Sequence, residues 1–349
     1  MNTNKGLFKL IFSLSCLLFF SAAQATKLTE LKSALNAQIS PNFQGVIWVQ
    51  HQDKQLFVKT AGEGITKDSL FILGSISKPV FSSFYLSRHH AALFSPLATS
   101  LKPNFYPAEQ SLTPAMLLSH TSGINRPFTG MTSNGPGQFE YSNGNYQFLA
   151  NNLNPGDSAA WMSDLNQFLQ SNGLDIQAAA GETKTLRQTY PRLVQGFDEQ
   201  ANQREAVEST ITTASAASGT LIGSARGVAD FQQKLHTGQL LADSAYQNMI
   251  TPVALRQHRW GTLEYGLGLQ IAQSPQEYSH SGYIPGFMSL MLYYPETQLQ
   301  LVLLQNVSGD LSNPEAVFAF QDELRALMRR YASFSLHANA DSISPQQTP

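Results

Sequence analysis

Two pairs of apolar segments at opposite ends of the chain constrain the fold more than any other feature of the sequence. GVIWVQ (45–50) and QLFVK (55–59) surround a short polar turn. GFMSLMLYY (286–294) and QLQLVLLQN (298–306) flank the turn residues Pro295-Glu296-Thr297. Apolar runs of strand length around turn residues predict two β-hairpins. A sheet that contains both hairpins must be built from the two ends of the chain.

Helical patterns flank these hairpins. Leu28, Leu31, Leu35 and Ile39 recur at helical spacing before the first hairpin. After the second hairpin, Asn313 precedes Pro314, a favourable first helical residue. A helical apolar stripe follows at Val317, Phe320, Leu324, Leu327 and Tyr331. The ends of the chain therefore predict an antiparallel sheet with helices packed on it.

The middle of the chain has a different composition. Residues 79–215 contain few β-branched runs, many Asn, Gln, Gly and Pro residues, and helical patches such as AAWMSDLNQFLQ (159–170). We predict an α+β protein with a discontinuous sheet domain formed by residues 26–78 and 216–334. A mainly helical domain (79–215) is inserted in it, a cleft lies at the junction, and residues 335–349 form a loose polar tail.

The first 25 residues have the pattern of a secretory signal. Lys5 and Lys9 precede an apolar run from Leu10 to Phe20, and the segment ends in Ala23-Gln24-Ala25. This pattern predicts cleavage after Ala25 and an exported protein, either periplasmic or secreted. A membrane anchor is the alternative, but the run is shorter than the roughly 20 residues that a spanning helix needs.

Cys16 is the only cysteine of the chain and lies within the apolar run. A lipidated cysteine is a second alternative for this segment, although Leu17 to Phe20 after it are still apolar. Cleavage after Ala25 leaves a chain without cysteine, and hence without disulfides, in a compartment that permits them. The stability of that chain must come from a packed core.

The charge balance bears on possible partners. The chain carries 22 Lys and Arg against 24 Asp and Glu, a net charge of −2. Apart from Arg329-Arg330 there is no basic cluster, which argues against a nucleic-acid partner. Beyond the signal no apolar run is long enough to span a bilayer, so we expect no stable membrane insertion after cleavage. The oligomeric state is left open.

One short stretch carries potential chemistry. LGSISKPVFSSF (73–84) places Ser75 and Lys78 three positions apart, and residues three apart are neighbours on a helix. A serine hydroxyl needs an adjacent base to act as a nucleophile, and a lysine serves only where its surroundings lower its pKa. The alternative is an ordinary helix start, with Ser75 as its cap and Lys78 in solvent.

Two further motifs follow in order. GQFEYSNGNYQFLA (137–150) contains Tyr141-Ser142-Asn143, and YSHSGYIPGF (278–287) contains His280-Ser281-Gly282. With Ser-x-x-Lys, Tyr-x-Asn and Lys/His-x-Gly in this order, the chain resembles the penicillin-recognising serine hydrolases: class C β-lactamases, small DD-peptidases and β-lactamase-like esterases. The resemblance extends from about Phe43 to Tyr331 and implies a β-lactamase/transpeptidase-like fold.

The resemblance also implies the roles of the catalytic residues. Ser75 attacks a carbonyl and forms an acyl-enzyme, while Lys78 and Tyr141 share the proton transfers. The resemblance does not decide which of these two is the general base.

The resemblance likewise implies the substrate contacts. Asn143 holds the amide of the substrate, and the backbone N–H groups of Ser75 and Tyr283 receive the oxyanion. His280, Ser281 and Gly282 complete the substrate-binding side of the cleft. The implied substrate is a small molecule or peptide, namely an ester, a D-amino-acid peptide or a β-lactam.

His280 occupies a position where class C β-lactamases usually carry lysine. This favours a DD-peptidase or esterase; a class C-like β-lactamase and a binding protein without turnover are the alternatives. In the family this side chain faces the substrate carboxylate, and an unperturbed histidine loses its charge near pH 6.5. We therefore expect the affinity for an anionic substrate to weaken as pH rises from about 5.5 to 7.5.

Other potential sites are less consistent with the sequence. There is no Gly-x-Ser-x-Gly elbow and no His-Glu-x-x-His motif, so we expect no metal and no other cofactor. His120 in SHTSG is expected to lie in a structural turn. Tyr246-Gln247-Asn248 repeats the Tyr-x-Asn pattern but is expected to lie on a helix away from the site.

Overall fold

The computed structural model describes residues 26–157, 159–200 and 203–340, with side chains up to Ser333. The expected signal segment, including Cys16, and the end of the expected tail after Ala340 lie outside the described residues. Within the described part of the chain, no helix is long and apolar enough to cross a membrane.

The described residues form sixteen strands and ten α-helices. The strands are β1 (Gly45–His51), β2 (Lys54–Ala61), β3 (Leu70–Ile72), β4 (Ile176–Gln177), β5 (Gly181–Glu182), β6 (Gly196–Gln200), β7 (Gln203–Val207), β8 (Thr210–Ile211), β9 (Ile222–Ser224), β10 (Ala254–His258), β11 (Gly261–Tyr265), β12 (Gln270–Ala272), β13 (Glu277–Ile284), β14 (Phe287–Tyr294), β15 (Leu299–Gln305) and β16 (Val307–Gly309). The helices are α1 (26–38), α2 (Ser77–His89), α3 (Pro114–Leu118), α4 (Asn143–Asn151), α5 (Ala160–Ser171), α6 (Thr183–Thr189), α7 (Thr213–Ser218), α8 (Ala225–His236), α9 (Asp243–Ile250) and α10 (Pro314–Ala340).

One eight-stranded antiparallel sheet joins the two ends of the chain. Its strand order is β10-β11-β12-β13-β14-β15-β1-β2. Strands β1 and β2 form the first predicted hairpin, and β14 and β15 form the second. β1 pairs with β15 and so connects the two hairpins; in this pairing Trp48 lies opposite Val302. The predicted α+β fold with an antiparallel sheet is confirmed.

Helices cover both faces of this sheet. On one face Leu31 of α1 and Leu324 and Met328 of α10 pack against apolar side chains such as Ile47 and Leu303. The other face carries α8 and belongs to a larger apolar cluster that continues into the middle of the chain. The alternating side chains of the central strands are therefore buried on both faces, which explains their nearly continuous apolar sequences.

The inserted region contains strands that the sequence analysis did not predict. Besides its helices, residues 79–215 contribute β4 to β8, each two to five residues long. β4 pairs with β9, and β6 pairs with β16. β5 pairs with β8, and β6 also pairs with β7. Strands this short show no alternation of their own, so the sequence pattern did not reveal them. Phe81, Trp161 and Leu304 belong to one apolar cluster, so the insertion and the sheet share a core.

The last helix is longer than expected. α10 continues to Ala340, although the loose tail was predicted to begin at residue 335. No proline or glycine interrupts residues 335–340, and a helical apolar pattern is not needed where a helix extends past its core contacts. The predicted boundary at 335 is therefore corrected.

A buried ionic cluster joins β13 to α10. Glu277 is completely buried and accepts hydrogen bonds from Arg325 Nε at 2.8 Å and from Arg329 Nη1 at 3.0 Å. The hydroxyl of Tyr294 also donates to this carboxylate, at 3.0 Å. A buried carboxylate with three donors fixes the start of the strand that carries the third motif.

We predict that Glu277→Gln lowers the free energy of unfolding by about 2 kcal/mol or more, because it removes the charge that compensates two arginines. Urea denaturation of the variant and the parent chain measures this difference. Glu323→Gln, an exposed change on α10, serves as control and should change stability by less than about 0.5 kcal/mol. Equal stability of the two variants would contradict a structural role for Glu277.

Candidate active site

Ser75 lies in a tight turn between β3 and α2. A single 3-10 turn, Gly74–Ile76, begins with Gly74 at φ +56°, a left-handed conformation that favours glycine. The buried hydroxyl of Ser77 donates to Gly74 O at 2.8 Å and accepts from Leu221 N at 3.1 Å. The backbone around Ser75 is thereby fixed from two sides, and Ser75 does not serve as a side-chain helix cap.

Lys78 points from the first turn of α2 into the protein rather than into solvent. The residue is fully buried, and its Nζ lies 3.3 Å from Ser75 Oγ, 2.7 Å from Asn143 Oδ1 and 2.6 Å from Ser218 O. The structure therefore rules out the alternative of a solvated lysine. The three acceptors fix the direction of the amine and hold it beside the nucleophile.

Burial holds the pKa of Lys78 well below its ordinary value of 10.5, and the positive charge of Arg256 lowers it further. A lower pKa makes the neutral amine more populated near neutral pH. A neutral amine has a lone pair and can accept a proton from the serine hydroxyl.

Tyr141 reaches the same hydroxyl from another segment. Its phenol donates to Ser75 Oγ at 2.8 Å. Burial raises the pKa of Tyr141, while the hydrogen bond to Ser75 and the charge of Arg256 act in the opposite direction. The phenol is therefore in its protonated form at neutral pH and is placed as a proton donor.

The turn around His120 holds Tyr141 in place. The His120 ring lies 4.4 Å from the Tyr141 ring, between centroids, and its Nδ1 accepts the N–H of Ser142 at 3.3 Å. The hydroxyl of Ser142 donates to Arg126 O at 3.1 Å. His120 is fully buried at φ +60°, in agreement with the expected structural turn.

The backbone of the third motif lies in close contact with the backbone of the turn that carries Ser75. A Cβ atom on Gly74 would lie 2.9 Å from Gly282 Cα and 3.1 Å from Tyr283 N. A Cβ atom on Gly282 would lie 2.7 Å from Leu73 O and 2.8 Å from Ser75 N. Only glycine permits this approach at position 282. It places the backbone nitrogens of Ser75 and Tyr283 at one contact, as two oxyanion donors require.

His280 lies in the site in a neutral form. It is 1% exposed, its Nδ1 donates to Ser281 O at 2.8 Å, and its Nε2 is 3.2 Å from Tyr265 OH. Burial holds the pKa of His280 well below its ordinary value of 6.5, and the charges of Arg256 and Lys78 lower it further. The sequence analysis expected His280 to lose a positive charge between about pH 5.5 and 7.5. The lowered pKa of His280 moves that loss to lower pH, so this expectation is corrected. A substrate contact by His280 remains a prediction.

Strand β13 has an open edge beside the nucleophile. β12 pairs only with Glu277–Ser279, whereas the pairing with β14 continues to Ile284. The part of β13 that contains Ser281 and Gly282 therefore pairs on one side only. An extended substrate can hydrogen-bond to such an edge.

Arg256 on the edge strand β10 lies beside the site and was missed by the sequence analysis. Its guanidinium carbon lies 4.8 Å from the centre of the Tyr141 ring, and it affects the pKa values of both Lys78 and His280. No motif contains Arg256, and its strand has little apolar alternation. Its place in the site depends on the pairing of β10 with β11.

The other candidate groups lie elsewhere. Tyr246 and Asn248 are in α9, where they contact His236 and His90, and they do not join Ser75. Among the described residues, no three His, Cys, Asp or Glu side chains are grouped closely enough to hold a metal ion. A cavity of about 630 Å³ lined in part by Glu63, Arg192 and Asn306 is also separate from the nucleophile.

The fold and the Ser75-Lys78-Tyr141 site together match the architecture of the β-lactamase-like serine hydrolases. The chain belongs to the Beta-lactamase family, because the model of that family matches residues 36–324. The resemblance noted from the three motifs and the predicted β-lactamase/transpeptidase-like fold are both confirmed.

Named relatives agree with this assignment. The chain is 25% identical over 264 residues to the putative penicillin-binding protein PbpX of Bacillus subtilis (strain 168), which covers 69% of this chain and 63% of that protein. The chain therefore spans less than two thirds of that relative's length.

Solved structures share the fold at low identity. A penicillin-binding protein from Bacillus halodurans superimposes with a TM-score of 0.66 at 16% identity, over 87% of this chain and 98% of the other. The D-amino acid amidase of Ochrobactrum anthropi SV3 complexed with L-phenylalanine amide also has a TM-score of 0.66 at 16% identity, over 91% and 99% of the two chains.

We predict that Gly282→Ala lowers the rate of acylation at Ser75 by about 10²-fold or more, because the added methyl group would separate the two oxyanion donors. Acylation by an activated ester, followed by stopped-flow absorbance, measures the rate. Gly130→Ala is the matched control, since its new methyl group would meet nothing closer than Asn125 Nδ2 at 3.6 Å. Equal rates in the two variants would contradict the oxyanion assignment.

Proposed function

We propose that the protein is an exported serine hydrolase that forms an acyl-enzyme on Ser75 and acts as a DD-peptidase or an esterase. One observation carries this proposal: Ser75 Oγ lies between a buried amine, Lys78 Nζ at 3.3 Å, and a phenol, Tyr141 OH at 2.8 Å. A hydroxyl between a proton acceptor and a proton donor is arranged for nucleophilic attack.

In acylation Lys78 accepts a proton and Tyr141 donates one. Ser75 Oγ attacks the carbonyl carbon of the substrate, and its proton passes to the neutral amine of Lys78. The carbonyl oxygen becomes an oxyanion that the N–H groups of Ser75 and Tyr283 stabilise. As the bond to the leaving group breaks, Tyr141 donates its proton and recovers one from Lys78. The direction of the two pKa shifts supports this order.

Deacylation repeats the sequence with water as the nucleophile. The same base removes a proton from water, which attacks the acyl carbonyl. The tetrahedral intermediate collapses, Ser75 takes back its proton, and a carboxylic acid leaves. The intact contacts of Lys78 and Tyr141 with Ser75 favour turnover over a binding protein that only traps its ligand.

The substrate class follows from the open edge of β13 and from the relatives. An extended acyl group can pair with the edge that contains Ser281, while Asn143 Oδ1, already bound to Lys78, lies where it can meet an amide. The relatives include penicillin-binding proteins, and one similar structure is named a D-amino acid amidase. These names support a substrate with a D-amino acid or a related small acyl group.

Export is supported by the sequence of the first 25 residues. Lys5 and Lys9, the apolar run and Ala23-Gln24-Ala25 form a cleavable secretory signal. The mature chain would then begin at Thr26 and function in the periplasm or outside the cell.

The first prediction for this function is that an acylating probe modifies Ser75 and no other serine. Among the serines that the structure describes, only Ser75 has hydrogen bonds to both Lys78 and Tyr141. We would incubate the chain separately with a fluorescent penicillin, a peptide ending in D-Ala-D-Ala and a short-chain p-nitrophenyl ester. Intact-mass analysis would distinguish a stable adduct from turnover, and peptide mapping would locate the adduct.

Ser75→Ala is the control and should show neither an adduct nor product. A label on Ser281 or Ser122, or labelling retained in the variant, would disprove Ser75 as the nucleophile. Complete inertness of the parent chain to all three probes would argue against the proposed function.

The second prediction is that Lys78→Ala and Tyr141→Phe each lower kcat/KM by about 10²-fold or more, since each removes a positioned proton-transfer group. Their effects should not add fully, because both groups act on one proton path. In the parent chain kcat/KM should rise with pH as the amine of Lys78 loses its proton. The apparent pKa of that rise should lie well below 10.5 and be lost in Lys78→Ala.

Lys59→Ala, an exposed change on β2, is the matched control and should leave the pH profile unchanged. Thermal unfolding shows whether each variant is folded. Near-parental rates in folded Lys78→Ala and Tyr141→Phe variants would mean that another group is the base.

A further inference from the structure

A polar cavity lies where the inserted region meets the two ends of the chain. Its volume of about 630 Å³ is within the range of about 300–1,000 Å³ that is common for small-molecule sites. Its walls come from the loop before β3, from residues 191–197 and from Asn306 after β15. Neither Ser75, Lys78 nor Tyr141 lines it, so this cavity is distinct from the catalytic cleft.

Asn306 gives the wall of this cavity a buried acceptor that has no donor. The residue is 5% exposed, and its Nδ2 donates to Gln195 O at 2.8 Å. A carbonyl oxygen can only accept, so this bond fixes which branch of the amide is the nitrogen. The other branch, Oδ1, is buried and has no hydrogen-bond partner among the described residues. An unpaired buried acceptor costs free energy, so a ligand that brings a donor to it would be stabilised.

Phe197 gives the cavity an apolar surface beside that acceptor. Its backbone N–H donates to Asn306 O at 2.9 Å, because β6 pairs in parallel with β16. The side chain of Phe197 is partly buried and lines the cavity, yet it belongs to none of the apolar clusters that the described residues form. The aromatic ring is therefore available to pack against a ligand.

The positive charges on the cavity wall are already compensated. Arg192 binds both oxygens of Asp175, at 2.7 and 3.0 Å, and Arg204 pairs with Glu199. Glu63 also lines the cavity and takes part in none of the ion pairs found in the described part of the chain. Two compensated cations and one carboxylate give an anion no net attraction. The charge of the wall thus favours a ligand that is not an anion.

We propose that this cavity binds a short neutral saccharide. Sugar hydroxyls both donate and accept hydrogen bonds, so they suit the buried Oδ1 of Asn306 and the amide side chain of Gln44, which also lines the cavity. A pyranose ring presents an apolar face of C–H groups as well, and the negative face of an aromatic ring such as that of Phe197 attracts these groups. The inference goes beyond the proposed function and does not rest on it, because no residue of this cavity takes part in acyl transfer.

The test compares three trisaccharides of different charge. Cellotriose is neutral, the trimer of glucosamine is cationic at mildly acidic pH, and trigalacturonate is anionic. Isothermal titration calorimetry on the protein measures the affinity for each. Backbone amide shifts in relaxation-optimised NMR spectra then locate the bound sugar, since Phe197 and Val307 report on the cavity, whereas Ser75 and Tyr283 report on the catalytic cleft.

We expect cellotriose to bind with a Kd of about 1 mM or tighter, and more tightly than either charged trimer. Phe197→Leu should weaken binding by about 5-fold or more, because leucine is apolar but has no aromatic face. Gln44→Ala should weaken it by about 3-fold through the loss of a hydrogen bond. Phe94→Leu and Gln247→Ala are the matched controls, since both side chains are exposed and lie outside the cavity, and they should leave the affinity unchanged.

Several results would overturn the proposal, and each has a distinct meaning. If none of the three trimers binds, the cavity is not a saccharide site. Tighter binding of trigalacturonate assigns it to an anion, and tighter binding of the glucosamine trimer assigns it to a cation held by Glu63. Unchanged affinity in Phe197→Leu, with normal thermal unfolding, means that the aromatic ring does not contact the sugar.

The location of the sugar separates this proposal from the proposed function. Ser75→Ala should bind cellotriose as the parent chain does, with amide shifts at Phe197 and Val307. Shifts confined to Ser75 and Tyr283, or binding that is lost in Ser75→Ala, would place the sugar in the catalytic cleft and refute a separate site. Acylation of Ser75 is measured with other probes, so either proposal can fail while the other stands.

Discussion

Burying a lysine amine without a carboxylate beside it costs free energy, and the site is organised around that cost. Desolvation favours the neutral amine of Lys78, and the nearby Arg256 acts in the same direction. Asn143 and the carbonyl of Ser218 accept hydrogen bonds from the amine and so fix its position. A salt bridge there would have kept the lysine charged and unable to accept a proton. Among the described residues no carboxylate forms an ion pair with Lys78, so no ion pair opposes the loss of its proton.

The fold supplies this environment by joining segments that are distant in sequence. Ser75 follows β3, Tyr141 precedes α4, and Gly282 lies on β13. A single apolar cluster extends through the sheet and the inserted region, so these segments cannot shift independently. The buried hydroxyl of Ser289 on β14 donates to Leu73 O at 2.6 Å and ties the sheet to the turn that carries the nucleophile. The precision of the oxyanion contact thus depends on the packing of the whole domain.

His280 and Arg256, which both affect the charge of the site, lie on different strands, β13 and β10. His280 is neutral because it is buried and its two ring nitrogens are hydrogen-bonded, whereas the guanidinium of Arg256 lies beside the aromatic rings of the site. An arginine on an edge strand can change without altering β13, which also carries the oxyanion donor Tyr283.

The sequence by itself determined the parts that local chemistry encodes. Apolar segments around turns predicted both hairpins, and Ser75, Lys78, Tyr141 and Gly282 were identified from short motifs whose residue types the reaction requires. Strands β4 to β8 were missed because two to five residues carry no periodicity. They form where the fold brings partner strands beside them: β4 pairs with β9, β5 with β8, and β6 with β7 and β16.

Only the tertiary structure decided the protonation of His280 and the place of Arg256. The pKa of a histidine depends on its burial and on neighbouring charges, which come from residues far away in the chain. Arg256 belongs to no motif, and strand pairing at the edge of the sheet brings it to Tyr141. Residue identity therefore fixed which reaction the chain can attempt, while the folded arrangement of charge set the state in which each group takes part.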